Sequence, residues 1–151
     1  MSIKIIVENK KARFDFHIIE TYEAGLSLVG SEVKSLRLGH AQIKDAYIAF
    51  VGNEIMLQKA NIAVYSASSY NNHAPERLRK LLLHRHEINK IYSATAEKGM
   101  SCVPLKLYFK NGRVKVEIAI VKGKKKGDKR DAIKTRDVNR EVSRALRHSK
   151  G

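Results

Sequence analysis

Lys110-Asn111-Gly112-Arg113 constrains the fold of this chain more than any other four residues. Asn-Gly accepts the positive φ angles of a type I′ turn, whose twist matches two antiparallel strands joined by two residues. Fixing the turn fixes the register. Phe109 then faces Val114, Leu107 faces Val116, Leu105 faces Ile118 and Val103 faces Ile120, and every pair is apolar. On the other face Tyr108 meets Lys115, and Lys106 meets Glu117 with opposite charge. The alternation therefore predicts one buried and one wet face. A slip of one residue would mix the two. Pro104 has no N–H to donate, which marks an edge or a bulge near the start of its strand.

A second hairpin is expected at Ile43–Val51 and Glu54–Ala60, turning at Gly52-Asn53. Its apolar run Tyr47-Ile48-Ala49-Phe50-Val51 suits a strand covered on both faces. Phe14–Ile19 and Gly25–Val29 read as strand, as one long bent strand or as two, and Ile3–Val7 is a further candidate. Three short helices fit between these strands. Ser31 can cap one over Glu32–Leu38, ended by Gly39. Pro75 suits the first turn of a second, running to about Leu83 with Leu78, Leu81 and Leu82 on one side. Ile88, Ile91, Tyr92 and Thr95 recur at helical spacing in a third, closed by Gly99. Five or six strands with short helices between them predict a mainly β fold. The expected architecture is an OB-like closed β-barrel with about three short flanking helices and a basic C-terminal tail, because closure removes exposed sheet edges.

The charge is uneven. The 151 residues carry 30 Lys+Arg against 15 Asp+Glu, a formal net charge of +15. Residues 1–121 hold a net +7 and residues 122–151 a net +8, so a fifth of the chain holds over half the excess. The division expected is a barrel over 1–122 and a basic tail over 123–151. Within the tail, Asp131 can cap a helix reaching about Arg147. Arg136, Arg140, Arg144 and Arg147 would form one stripe, with Val138, Val142, Ala145 and Leu146 opposite. That apolar strip is thin and such a short helix is marginal in water. The tail is expected to be disordered alone and helical against a polyanion, or else docked permanently on the barrel.

An excess of this size implies a polyanionic partner. Asn9-Lys10-Lys11-Ala12-Arg13, Lys34 with Arg37, and Arg77-Leu78-Arg79-Lys80 are separate basic clusters, and Tyr22, Tyr65, Tyr70 and Phe14 offer stacking faces. That combination suits folded or single-stranded RNA better than a DNA duplex. No apolar run approaches the ~20 residues of a membrane span, and no secretory h-region is present at the start, so a cytoplasmic location is expected. Cys102, the single cysteine, excludes an internal disulfide. His84, His86 and Cys102 do not make a metal-site pattern. Glu20, Glu23, Glu32 and Asp45 are carboxylates that sequence cannot pair. The expectation is a binding protein, not an enzyme, without cofactor or metal.

Several runs carry a family resemblance. They are Asn9–Arg13, Tyr22-Glu23-Ala24-Gly25-Leu26, Gly30-Ser31-Glu32-Val33-Lys34-Ser35-Leu36-Arg37 and Arg79-Lys80-Leu81-Leu82-Leu83-His84-Arg85. To these add Leu105–Gly112 and Lys122-Gly123-Lys124-Lys125 followed by Asp128-Lys129-Arg130. Together they resemble the SsrA-binding protein (SmpB) family along nearly the whole chain. The resemblance implies an OB-type barrel that binds the tRNA-like part of transfer-messenger RNA and delivers it to stalled ribosomes. It implies RNA contacts at Glu23, Leu82 and His84; some members carry asparagine in place of His84. With the basic clusters, the expected RNA-binding set is Asn9, Lys10, Lys11, Arg13, Glu23, Lys34, Arg37, Leu82, His84 and Arg85. The tail is implied to enter the small subunit's decoding centre and empty mRNA channel. Its expected ribosome-binding residues are Lys124, Lys125, Lys126, Asp128, Lys129, Arg130, Arg136, Arg140, Arg144 and Arg147. Gly127 stands where some members place a stacking histidine. A monomer bound one-to-one to the RNA is expected. The alternative is a basic ribosomal or nucleoid-type protein that binds nucleic acid without selectivity.

Overall fold

The computed structural model describes residues 3–64 and 73–124. In chain order the elements are β1 (Ile3–Glu8), α1 (Lys10–Asp15), β2 (Phe16–Leu26), α2 (Gly30–Arg37), β3 (Ala41–Gln42), β4 (Tyr47–Val51), β5 (Glu54–Gln58), β6 (Asn61–Ile62), β7 (Arg79–Leu82), α3 (Arg85–Thr95), β8 (Met100–Lys110) and β9 (Arg113–Gly123). The fold is mainly β. Seven strands run in the order β1-β8-β9-β2-β7-β5-β4, and β3 pairs with β6 separately.

The Asn111-Gly112 turn has φ of 52° and 80°, and the β8–β9 register follows the expectation from Lys110↔Arg113 to Lys106↔Glu117. A bulge between Pro104 and Lys106 then shifts it. Pro104 faces Ile118, Val103 faces Ala119 and Cys102 faces Ile120, so the expected pairs Leu105–Ile118 and Val103–Ile120 do not form. The extra residue, Leu105, lets one hairpin serve two cores. Leu107, Val116, Ile118 and Ile120 face the main core. Val103 and Leu105 turn to the outer face, where they pack with Ala119, Val121 and Ala12 of α1.

Other expectations are corrected. The segment from Pro75 to Leu83 is not a helix. Residues 75–76 form a turn, and Arg79–Leu82 is a strand in which Arg79 and Leu81 are buried and Lys80 and Leu82 exposed. Its backbone pairs with β5 on one side and β2 on the other, and this pairing overrides the helical spacing of the leucines. Phe14 lies in α1, unforeseen in the sequence. Asn9 caps that helix: its Oδ1 accepts from the Ala12 N–H at 3.2 Å, while its Nδ2 donates to the carbonyls of Pro104 and Ile43. The strand that follows is continuous through Gly25 and ends at Leu26, short of Val29. In α2 the N-cap position is Val29, not Ser31; the Ser31 hydroxyl bonds His73 Nδ1 instead, at 2.8 Å. The second hairpin is shorter than expected at its outer ends. β4 is an edge strand, with Ile48 buried and Tyr47 and Val51 exposed, so it is not covered on both faces.

The sheet is open among the described residues: β1 and β4, its two ends, are not hydrogen-bonded to each other. The closed ring expected from the sequence is therefore absent from the ladders. β1 takes the edge of β8 along Lys106–Lys110, and β4 packs against β8 without joining its ladder.

A buried ion network fixes α2 to β7. Glu32 and Arg79 are both 0% exposed. The Glu32 carboxylate accepts from Arg79 Nε at 2.7 Å, from Arg77 Nη2 at 2.7 Å and from the Val29 N–H at 3.0 Å. Arg79 also donates to the carbonyls of Ala60 and Pro75. Burial raises the Glu32 pKa, but the hydrogen bonds from Arg77, Val29 and Arg79 outweigh it and hold the group below its ordinary value.

Candidate nucleic-acid interface

The wet face of the β8–β9 hairpin continues across the sheet. Lys106↔Glu117 and Tyr108↔Lys115 are register partners, and β9 in turn sets Glu117 beside Glu23 and Lys115 beside Gly25. Gly25 is the partner of Leu82 on β7. Since alternate residues share a face, Lys106, Tyr108, Lys110, Lys115, Glu117, Glu23, Gly25 and Leu82 form one surface. Beyond Glu117 the same face becomes apolar at Ala119 and Val121, and there α1 covers it.

At one end this surface opens into a cleft of about 860 Å³, lined by Glu23 and Gly25, the Asn53-Glu54 turn, Lys80 to His84, Arg85 and Glu87 of α3, and Lys115. Leu82 is 53% exposed on its floor. A Cβ placed on Gly25 would come within 3.2 Å of the Leu82 Cβ, so glycine lets the Leu82 side chain lie close against β2. The cations at the rim are held in place. Lys80 pairs with Glu54 at 3.0 Å, and Arg85 Nη1 donates to the Asn53 carbonyl at 3.2 Å. His84 precedes α3, whose Glu87 accepts from the His84 N–H. The His84 and His86 rings stack with centroids 5.7 Å apart and planes within 8°.

Glu23 is fixed from the neighbouring hairpin. Tyr108, 5% exposed, donates its hydroxyl to Glu23 Oε2 at 2.5 Å. Lys110 Nζ lies 3.2 and 3.3 Å from the two carboxylate oxygens. The Tyr108 hydrogen bond lowers the Glu23 pKa most; partial burial opposes it and Lys110 adds to the lowering. Glu23 is therefore an ionised, oriented acceptor at neutral pH.

The structure brings four sequence-predicted residues, Glu23, Leu82, His84 and Arg85, into one cleft. Arg13 reaches the same face, with Nη2 4.0 Å from Glu117 Oε1. Lys10 and Lys11 are exposed on α1, whereas Asn9 is buried and holds that helix in place. Lys34 and Arg37 are exposed on α2 and line no part of the cleft. Tyr22 and Phe14 are half-buried, and Tyr22 packs against the main core instead of presenting an open ring. Of the four carboxylates considered, Glu32 is an ion-pair partner in the interior and Glu23 alone lines the cleft. Lys80 belongs to the Arg77–Lys80 basic cluster but stood outside the expected RNA-binding set, and sequence reasoning missed Tyr108, Lys110 and Lys115. The signal was available for the last three: they occupy the wet face fixed by the Asn-Gly turn. Lys124 is the last tail residue described, its N–H donating to the Asp15 carbonyl. The other tail residues, the helix expected from Asp131, and Tyr65 and Tyr70 lie outside the described residues.

Residues 6–148 match the family described as SmpB protein. The chain belongs to the SmpB family. It is 64% identical over 149 residues to a protein named SsrA-binding protein from Bdellovibrio bacteriovorus, covering 99% of this chain and 98% of that one. A protein of the same name from Syntrophobacter fumaroxidans is 52% identical over 141 residues, covering 93% and 88%. A solved structure described as "tmRNA-SmpB: a journey to the center of the bacterial ribosome" matches with TM-score 0.68 and 42% identity, over 84% of this chain and 93% of that one. The SmpB match spans both the cleft and the α1 cluster.

Proposed function

We propose that this protein binds the tRNA-like part of transfer-messenger RNA and delivers it to stalled ribosomes for rescue and peptide tagging. The observation that carries this reading is membership of the SmpB family along almost the whole chain. The cleft supplies a chemistry that fits: rim cations for phosphates, an exposed Leu82 for a base, and an ionised Glu23 for base or ribose donors. Lys10, Lys11 and Arg13 extend the contact along α1, with Asn9 as their support, and Lys34 and Arg37 meet the RNA from α2. The β4–β8 packing supports reading the open sheet as a member of the OB-type barrels. Residues 123–151 act after RNA binding. Lys124, Lys125, Lys126, Asp128, Lys129, Arg130, Arg136, Arg140, Arg144 and Arg147 enter the decoding centre and the empty mRNA channel of the small subunit. The protein works in the cytoplasm as a monomer, one per RNA, as a binding protein without cofactor, not an enzyme.

Competition tests the reading. Labelled transfer-messenger RNA bound to the full chain should resist displacement by excess bulk transfer RNA, and Glu23→Ala should erode that preference more than it erodes binding to arbitrary RNA. Equal displacement by both RNAs would overturn the selective function.

A further inference from the structure

The basic tail leaves the fold beside a groove. β9 ends at Gly123, the register partner of Phe16, and the Lys124 N–H donates to the Asp15 carbonyl at 3.2 Å. The ladder stops there, because the residues before Phe16 belong to α1. At the same point a groove of about 270 Å³ opens between α1 and the loop Lys44–Tyr47. Its floor is the rim of the outer core, with Ala12, Phe16 and Val103. Its walls carry Asp15 and Asp45, Lys11 and Lys44, and the partly exposed ring of Tyr47. Lys11 and Lys44 are exposed, and their long stems let the charged heads turn into water, whereas the short aspartates stay beside the backbone. Two carboxylates thus stand where the cationic tail begins.

We propose that, before any polyanion is bound, the first basic stretch of the tail, Lys125-Lys126-Gly127-Asp128-Lys129-Arg130, docks in this groove with its cations on Asp15 and Asp45. The stretch holds four cations against one carboxylate. Exposed ion pairs are individually weak and screened by salt, too weak to hold a free peptide. Here the segment starts at the mouth of the groove, and six residues span at most about 20 Å. Attachment therefore supplies an effective concentration on the order of mM. The neighbouring hollow, lined by Lys10, Arg13 and Lys106, repels the same segment. The contact is autoinhibitory. A docked tail presents fewer free cations to arbitrary RNA, and a surface with more phosphates than the groove has carboxylates draws it off. The docking does not depend on the RNA reading above; its consequence for binding does.

Disulfide trapping in the full chain tests this, since the native thiol, Cys102, is buried. Gly127→Cys keeps every tail cation. It is paired with Lys44→Cys in the groove or, as a control, with Lys98→Cys. Lys98 is exposed outside the groove and adjoins Gly99, whose carbonyl accepts from the Gly123 N–H, so it stands at the same exit. Under mild oxidation in low salt the Lys44→Cys pair should close faster than the control. Adding Asp15→Asn and Asp45→Asn should slow it about two- to tenfold, as should about 1 M salt, and neither should slow the control. Asp45→Asn alone, in the exposed loop, should give part of that loss without touching α1. In the otherwise native chain the two substitutions should tighten binding to an arbitrary RNA severalfold, and in a chain truncated after Lys122 they should not. Equal closure of the two pairs, or a Lys44→Cys advantage that survives both substitutions and salt, would overturn the docking. Docking with no gain in RNA affinity would overturn the autoinhibition. Selective binding of transfer-messenger RNA is read separately by competition, so either failure leaves that reading intact.

Discussion

Glu32→Leu should destabilise this protein severely, and the reason lies in what it leaves behind. Glu32 and Arg79 are fully buried, with Arg79 Nε 2.7 Å from Glu32 Oε2. After the substitution Arg77, 35% exposed at its side chain, can turn to water. Arg79 cannot. Its guanidinium keeps the Ala60 and Pro75 carbonyls but loses its only carboxylate partner among the described residues. Removing one partner of a buried ion pair costs about 3–5 kcal/mol, because the surviving charge is uncompensated. At roughly 3–4 °C per kcal/mol for a chain of this size, the midpoint of thermal unfolding should fall by about 10–20 °C. The double variant Glu32→Leu/Arg79→Met removes both charges and should recover much of that loss, since an apolar replacement of a buried pair is often close to neutral. Urea unfolding of wild type, both single variants and the double variant gives the coupling energy. A Glu32→Leu cost below about 1 kcal/mol, or a double variant as unstable as the sum of the singles, would refute this account of the interior.

The same group sets an acid limit. Native Glu32 titrates below its usual 4.5, so its contribution is complete above that value and is lost as pH falls through the lower native one; urea unfolding at stepped pH should show a flatter acid limb for Glu32→Gln than for wild type. Asn9→Ala removes a helix cap and two further hydrogen bonds, which should cost about 1–3 kcal/mol and weaken RNA binding through displacement of α1, measured by denaturation and filter binding side by side. Truncation after Lys122 should leave much of the transfer-messenger RNA affinity and abolish tagging on stalled ribosomes in a reconstituted translation assay. If the RNA contact neutralises about six phosphates, log K against log salt should slope near −4 to −5, and a flat response would remove the electrostatic argument.

The legible part of the fold was the part governed by short-range chemistry. Asn111-Gly112 fixed a register that holds for five pairs, from Lys110↔Arg113 to Lys106↔Glu117. It failed at Leu105 because a bulge adds a residue that no count from the turn can foresee, although Pro104 marked the place. Arg79–Leu82 was misread for a different reason. Four residues of leucine-rich sequence after Pro75 satisfy a helix pattern, and only the flanking strands β5 and β2, distant in sequence, make the same residues a strand. Helix α1 escaped notice because its six residues bury a single side chain fully, Ala12, which leaves no periodicity to detect.

The candidate site divides along the same line. Arg85 ends one of the runs that carry the family resemblance, and Glu23, Leu82 and His84 are contacts which that resemblance implies. What makes Glu23 usable is the Tyr108 hydroxyl, 85 positions away in sequence, and that contact exists because β2 and β8 are both bound to β9. The hairpin's wet face had been legible as polar, but polarity alone does not separate a solvated surface from a binding one. The bulge decides how far that face extends. Past Leu105 the outer surface of β8 turns apolar and goes under α1, which brings Arg13 to the border beside Glu117. One extra residue in one strand therefore sets both the end of the polar surface and the position of the helix that carries its first cations. Deleting it would turn Val103 toward the main core and Cys102 toward the outer face and move that border. The residue is apolar and uncharged, yet the geometry of the candidate surface depends on it.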